Sequence, residues 1–424
     1  MSGLTAPGFP ERQVRARARH GAAAAFPESE NYGSTLYGEH GEATVRPEDA
    51  IDRARLVPPV FVPHRMEKMI DLGREPVCGD VDLTTTIGGF RSAFPFFVAA
   101  FGSTRVASGD LGEAVARQAG SLGIPMVIGE NIVPVSGYGR MAEEKESSLL
   151  RRITEYASAA PDGFGGVVVQ QSTEDADAEV WNLVYSDPSA APLLESGRLA
   201  FELKVGQGAK PGVGGMTLVP RKRAAELSSQ YDVLDIYEPA EDSVLRCSSP
   251  GTFTEEILRQ QIRLMRNNYP RCRVWVKLPP SRDVHLAAAV AWAAGADSVT
   301  VDGAEGGTGW APRAFLDHVG LPLAECLQRL DAQDNSLLVS GRIWEGARAV
   351  KCLALGATAV GLGRAALVAS DEDAETGLTN FVECLALEVR LLISSLGKYR
   401  VAEVGAEDIW TEARSGEAFV PRNG

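Results

Sequence analysis

Nine short apolar runs recur along this chain, most of them separated by stretches with helical spacing. That alternation constrains the fold more than any other feature. The candidate strands are Phe94–Phe101, Pro125–Glu130, Gly165–Gln170, Leu199–Val205, Asp232–Tyr237, Val274–Pro279, Ser298–Gly303, Leu337–Arg342 and Ala359–Arg364. Among them lie helical stretches at Asp110–Ser121, Thr252–Asn268, Asp283–Ala294 and Ile343–Leu355. Strand–helix alternation on this scale implies an α/β protein with a parallel sheet. Nine candidates compete for the eight places of a (β/α)₈ barrel, and Asp232–Tyr237 is assigned to an accessory strand in a long loop. Asn380–Leu396 reads as a closing helix that ends near Gly397. Residues 1–60 show no clear period and are expected to form a partly irregular N-terminal arm. Residues 61–410 form the barrel domain and 411–424 a tail.

Composition narrows the function. The 424 residues are 45% hydrophobic, enough for a large core, and the net charge of −14 argues against a nucleic-acid partner. An anionic ligand must then be met by a local cation. No segment is apolar for long enough to span a membrane. The early arginines Arg12, Arg15, Arg17 and Arg19 precede only a short alanine run, so a cytoplasmic location is expected. Six scattered cysteines and five histidines show no metal-like spacing. No Gly-x-Gly-x-x-Gly opens a helix after a strand, which leaves no Rossmann nicotinamide site.

The loops at strand ends carry the chemistry. Gly206 to Gly215 follows the Leu199–Val205 run and holds five glycines with Gln207 and Lys210. Glycines let backbone approach a ligand closely, although a plain glycine-rich turn is the competing explanation. Barrels bind phosphate with the loops after their last two strands and a helix N-terminus. Gly341-Arg342 and Gly363-Arg364 fit that design, and Gly306-Gly307-Thr308 adds amides and a hydroxyl. The alternative for each Gly-Arg pair is a strand-end turn with an ordinary surface arginine.

In several separate motifs the chain resembles the flavin-binding synthase domain of the glutamate synthase family. Gln207-Gly208-Ala209-Lys210-Pro211-Gly212 resembles its signature loop. Val276-Lys277-Leu278 resembles its strand lysine, and Asp302 to Gly309 its glycine-rich loop. Phe101-Gly102-Ser103 resembles another family segment, and the likeness covers about residues 60–410. It implies an FMN-binding barrel that transfers hydride at a carbon–nitrogen bond of an amino acid or an imino or oxo acid. It assigns Ala100, Phe101, Gly102 and Ser103 to a shelf against the flavin edge and Gln171, favoured over Gln170, to the ring. Lys277 would stabilise the reduced flavin; its alternative is a lysine snorkelling at the rim. Lys210 and Gln207 would hold the substrate's anionic end, and Glu130 would manage protons, or merely be a charged strand end.

Departures from the family pattern are equally informative. Val213 and Met216 replace polar family residues, Asn131 replaces a glycine, and Trp310 follows the Gly-Gly-Thr-Gly loop. An altered substrate is therefore expected. No cysteine occurs between Ala365 and Phe381, where relatives carry their cluster ligands, so no Fe–S cluster is expected. Ser2 stands where family members with a built-in glutaminase have cysteine. The implied partners are a small amino or oxo acid and a separate electron-transfer or glutaminase subunit, with a homo-oligomer left open. Two other functions compete: a non-redox FMN isomerase, and a catalytically silent flavin-binding subunit of a complex.

Overall fold

The computed structural model describes residues 4–31, 33–36, 49–101, 110–129, 143–173, 180–206, 208, 217–229, 231–238, 241–247, 253–307 and 311–412. Eight parallel strands close into a barrel: β1 (Phe96–Phe101), β2 (Met126–Ile128), β3 (Val167–Ser172), β4 (Leu199–Lys204), β5 (Arg273–Leu278), β6 (Ser298–Asp302), β7 (Leu337–Ser340) and β8 (Ala359–Leu362). Closure runs through the pairing of β8 with β1, where Gly361 lies opposite Phe97. The strands are predominantly apolar, as a sheet buried on both faces requires, with most of their polar residues toward their C-terminal ends. The 232–237 run forms only Asp232–Leu234, which pairs with Ser243–Cys247 in a three-stranded antiparallel sheet outside the barrel.

Helices cover the outer face. Asp110–Ser121 has the span expected from the sequence, whereas Glu255–Asn268 starts later than its spacing suggested. There the Thr254 hydroxyl accepts from Ile257 N at 3.2 Å, and Glu255 and Glu256 sit in the first turn, where the helix dipole favours acids. Phe201 of β4 points outward, with its ring 5.6 Å from that of Trp181 and 4.8 Å from that of Tyr269. The closing helix spans Gly377–Ser395. No helix among the described residues is long and apolar enough to cross a membrane.

A hairpin, Thr85–Ile87 with Phe90–Ser92, plugs the N-terminal end of the barrel. Its turn glycines Gly88 and Gly89 have φ of 54° and 91°, and the Trp275 indole donates to Gly88 O at 3.0 Å. A Cβ at Gly88 would lie 2.3 Å from the Trp275 ring, so only glycine fits.

The N-terminal arm is partly helical. Glu11–His20 buries only Val14 and Ala18, which is why its sequence shows no apolar period. Ion pairs anchor it instead: Arg15 to Asp371 (2.8 Å) and Glu372 (3.0 Å), and Arg17 to Glu388 (2.6 Å). Further on, Arg55–Leu56 pairs with Ile409–Trp410.

Candidate active site

Alternation along the strands sorts side chains into barrel interior and outer shell. Toward the N-terminal end the interior is apolar, with Phe97, Val127, Val168, Ala200, Trp275, Leu338 and Ala359 packed on Ile87 and Phe90. Two residues further along their strands, the same face becomes polar. Gln170, Glu202, Lys277, Thr300, Asp302 and Ser340 are all buried there, Glu202 at 1% and Lys277 at 4% exposure. Glu202 accepts from the Gln170 amide and from Thr300 Oγ1 at 3.1 Å. Lys277 Nζ lies 3.0 Å from Asp302 Oδ2, and the Ser340 hydroxyl donates to Asp302 Oδ1. Burial raises the Glu202 carboxyl above its ordinary pKa, against the opposing pull of Lys277.

Above this layer three loops converge at the C-terminal mouth. Gly306 lies over Gly341, whose Cα would be the nearest neighbour of a Cβ at Gly306, at 3.8 Å; a Cβ at Gly341 would instead meet Gly303 N and Leu323 at 3.3 Å. A Cβ at Gly363 would meet nothing within 4 Å. The helix Arg364–Glu372 begins directly after Gly363, with no side chain capping its first turn. Open glycines beside a helix N-terminus form a cradle for an anion. The Arg364 guanidinium adds positive charge: a Cβ at Gly307 would be 3.4 Å from its Cζ, and Arg364 Nη2 donates to Glu305 O at 2.6 Å. Gly208, from the signature loop, packs on the same β6 loop, where a Cβ would lie 2.9 Å from Gly307 O. These features fit the phosphate end of a nucleotide cofactor.

Buried charges brace the cradle from below. Arg348, fully buried, reaches Asp52 (2.7 Å), Asp49 (2.8 Å) and Glu305 (3.1 Å), and its Nε donates to Gly341 O at 3.0 Å. Arg342 pairs with Asp52. Burial raises the pKa of Glu305, whereas for Asp49 the Arg348 contacts outweigh burial and lower it. Arg342 has φ of 57°, a left-handed backbone that costs a non-glycine residue about 1–3 kcal/mol.

The expected site residues divide into three groups. Gly306, Gly307, Gly341, Gly363 and Arg364 lie at the mouth, and Lys277 lies in the polar layer below it. Ala100 joins the inner cluster at the end of β1, while Phe101 packs on the outer core. Gln170 takes the inward place on β3, opposite Glu202; Gln171 is opposite Leu203, with its amide donating to Gln170 O at 3.0 Å. The Arg342 side chain is turned to Asp52. Gly102, Ser103, Glu130, Gln207, Lys210 and Thr308 lie outside the described residues, as do Val213, Met216 and Trp310. Sequence reading passed over Glu202, Arg348, Asp49 and Asp52. Strand parity could have found Glu202, because Leu199, Phe201 and Leu203 alternate with Ala200, Glu202 and Lys204.

The fold and site define a (β/α)₈ barrel with glycine-rich strand-end loops and a helix N-terminus over a polar inner layer. Comparison with known proteins gives the family. The region described as "Conserved region in glutamate synthase" matches residues 135–374, and the chain belongs to the glutamate synthase family. An archaeal-type glutamate synthase [NADPH] of Dehalococcoides mccartyi is 36% identical over 185 residues, 42% of this chain and 36% of that protein. A glutamate synthase large subunit-like protein of Rhizobium meliloti is 31% identical over 272 residues, 61% of this chain and 58% of that one. The chain thus covers about a third of the length of the archaeal-type relative. Among solved structures, a soluble mutant of (S)-mandelate dehydrogenase from Pseudomonas putida superposes with a TM-score of 0.55 at 18% identity, over 96% of this chain and 100% of that one. That likeness concerns the fold.

Proposed function

We propose that this protein is an FMN-dependent oxidoreductase acting at a carbon–nitrogen bond of an amino acid or an imino or oxo acid, with a substrate other than 2-oxoglutarate. The observation that carries this reading is a single deeply buried lysine, Lys277, in the polar layer under a three-glycine cradle. The cradle residues Gly306, Gly341 and Gly363, with Arg364 and the helix it starts, would hold the phosphate. Bound FMN would supply a ring that accepts or returns a hydride. Lys277, fixed by Asp302, would place positive charge under that ring and favour added negative charge there. Gln170, which takes the inward place on β3, would line the ring's edge. From the family resemblance, Lys210 and Gln207 would orient the substrate carboxylate and Glu130 would give or take the amine proton. By the same resemblance, Val213, Met216 and Trp310 would make the pocket less polar than the family pattern, which supports a substrate with fewer polar groups. Electrons would come from the substrate itself or from a separate electron-transfer subunit.

The test is the visible spectrum of the purified protein, followed by anaerobic titration with amino acids and amines. Bleaching of a bound flavin by an amine donor is the expected result. A flavin that bleaches only with an external reductant would reverse the direction to reductive amination. A protein that neither contains nor binds FMN would overturn the proposal.

A further inference from the structure

We propose that Asp52 is a positioning residue for the phosphate cradle, so that docking of the 49–53 segment and binding of phosphate reinforce one another. This rests on the cradle being the phosphate site. The segment is a single helical turn, Ala50–Arg53, begun by Asp49, whose side chain accepts from Asp52 N at 2.9 Å. It lies about 290 residues before the loop it braces, yet its contacts there are numerous. Asp52 takes Arg342 and Arg348 on its two carboxylate oxygens, and its own carbonyl accepts from Lys351 Nζ at 2.9 Å. Ile51, beside it, is buried at 1% exposure.

These contacts bear on the cradle in two ways. Arg342 holds a left-handed backbone next to Gly341, and such a conformation persists only where its surroundings over-determine it. Asp52 grips the far end of that side chain and so fixes the orientation of the 341–342 peptide near Gly306. Asp52 also orients Arg348, which clamps Gly341 O and Glu305, and Glu305 O in turn accepts from Arg364. One carboxylate therefore sets the relative positions of the loops after β6, β7 and β8. Without it, Arg342 and Arg348 both lose this carboxylate contact and the cradle is no longer preformed; a ligand must then order the loops on binding. Coupling is reciprocal, so phosphate must also hold the 49–53 turn in place.

The experiment measures FMN and riboflavin binding by the full-length protein and by Asp52→Asn and Asp52→Ala. Riboflavin lacks the phosphate and serves as the internal control. We expect at least tenfold weaker FMN binding in both variants and an unchanged dissociation constant for riboflavin. Equal FMN affinities, or equal losses for both ligands, would overturn the proposal and leave Asp52 a purely structural residue. Where a variant does not fold, amide hydrogen exchange in the wild-type protein decides. FMN slowing exchange at residues 49–56, with riboflavin leaving it unchanged, supports the coupling; the same response to both ligands overturns it. A wild-type protein that binds neither flavin refutes the cofactor assignment instead. Inorganic phosphate then becomes the probe, with protection of 49–56 supporting the role of Asp52 and no protection overturning it.

Discussion

The two halves of the barrel interior are built on the same eight strands and obey opposite rules. Around Trp275 the lower half is closed by the hairpin plug and lined with apolar side chains that touch one another. Around Lys277, two residues further along β5, the buried Gln170, Glu202, Thr300, Asp302 and Ser340 are polar or charged and are held by side chains of other barrel strands. Burying charge is unfavourable unless each group is paired, whereas burying indole and aliphatic groups stabilises the fold directly. The contrast teaches a division of labour: the lower half fixes the barrel, and the upper half accepts a stability cost to present charge at the mouth.

Substitutions in the two halves should therefore fail differently. Trp275→Ala removes the largest interior side chain of the lower half and is expected to lower unfolding free energy by about 3–5 kcal/mol. Denaturant titration checks this, and the protein that remains folded should still bind FMN. Lys277→Gln should reverse the pattern. Turnover, or the rate of flavin reduction, is expected to fall about 10²-fold while FMN is retained, with a smaller shift in denaturation midpoint than Trp275→Ala. A Lys277→Gln protein with normal flavin chemistry would erase the functional side of the contrast.

The outer shell gives a pH test. Glu345, at the start of the Gly346–Ala354 helix, is pushed up to about 7 by burial, with Glu388 beside it adding to the effect. The folded state then binds a proton that the unfolded chain releases near 4.5, so stability falls as pH rises from about 4.5 to about 7. Glu345→Gln is expected to gain about 1–2 kcal/mol over wild type at pH 8 and nothing at pH 4, as read from paired denaturation curves. An equal gain at both pH values would show that the effect is not protonation. Arg364→Ala, at the cradle, has the smallest expected effect: about tenfold weaker FMN binding, or about 1.4 kcal/mol, with riboflavin unaffected. The Arg342→Ala plus Arg364→Ala double variant should bind FMN more weakly still.

Much of the architecture was legible because it rests on local signals. Eight apolar runs sit where the strands are, and the weaker 232–237 run lies between Gln230 and Pro239 in a stretch dense with acids. What escaped was set by parity and by distance. Gln170 and Gln171 are chemically identical neighbours, and only the pleat decides which faces Glu202. Arg342 in Gly341-Arg342 has the sequence appearance of a phosphate fork, and nothing local reveals its carboxylate partner in the N-terminal arm. The arm itself looked irregular because the ion pairs of Arg15 and Arg17, rather than an apolar stripe, dock its helix. Long-range charge pairing leaves no periodic trace in a sequence.

The hairpin plug has a consequence for inheritance. With the Trp275 ring filling the space where a side chain at residue 88 would stand, substitutions at the two positions are coupled. A lineage that enlarges Gly88 must already have a smaller residue at 275, because the reverse order passes through a clash of ring and methyl. In a selection for restored folding, suppressors of Gly88→Ala should accumulate at codon 275 before anywhere in the upper half.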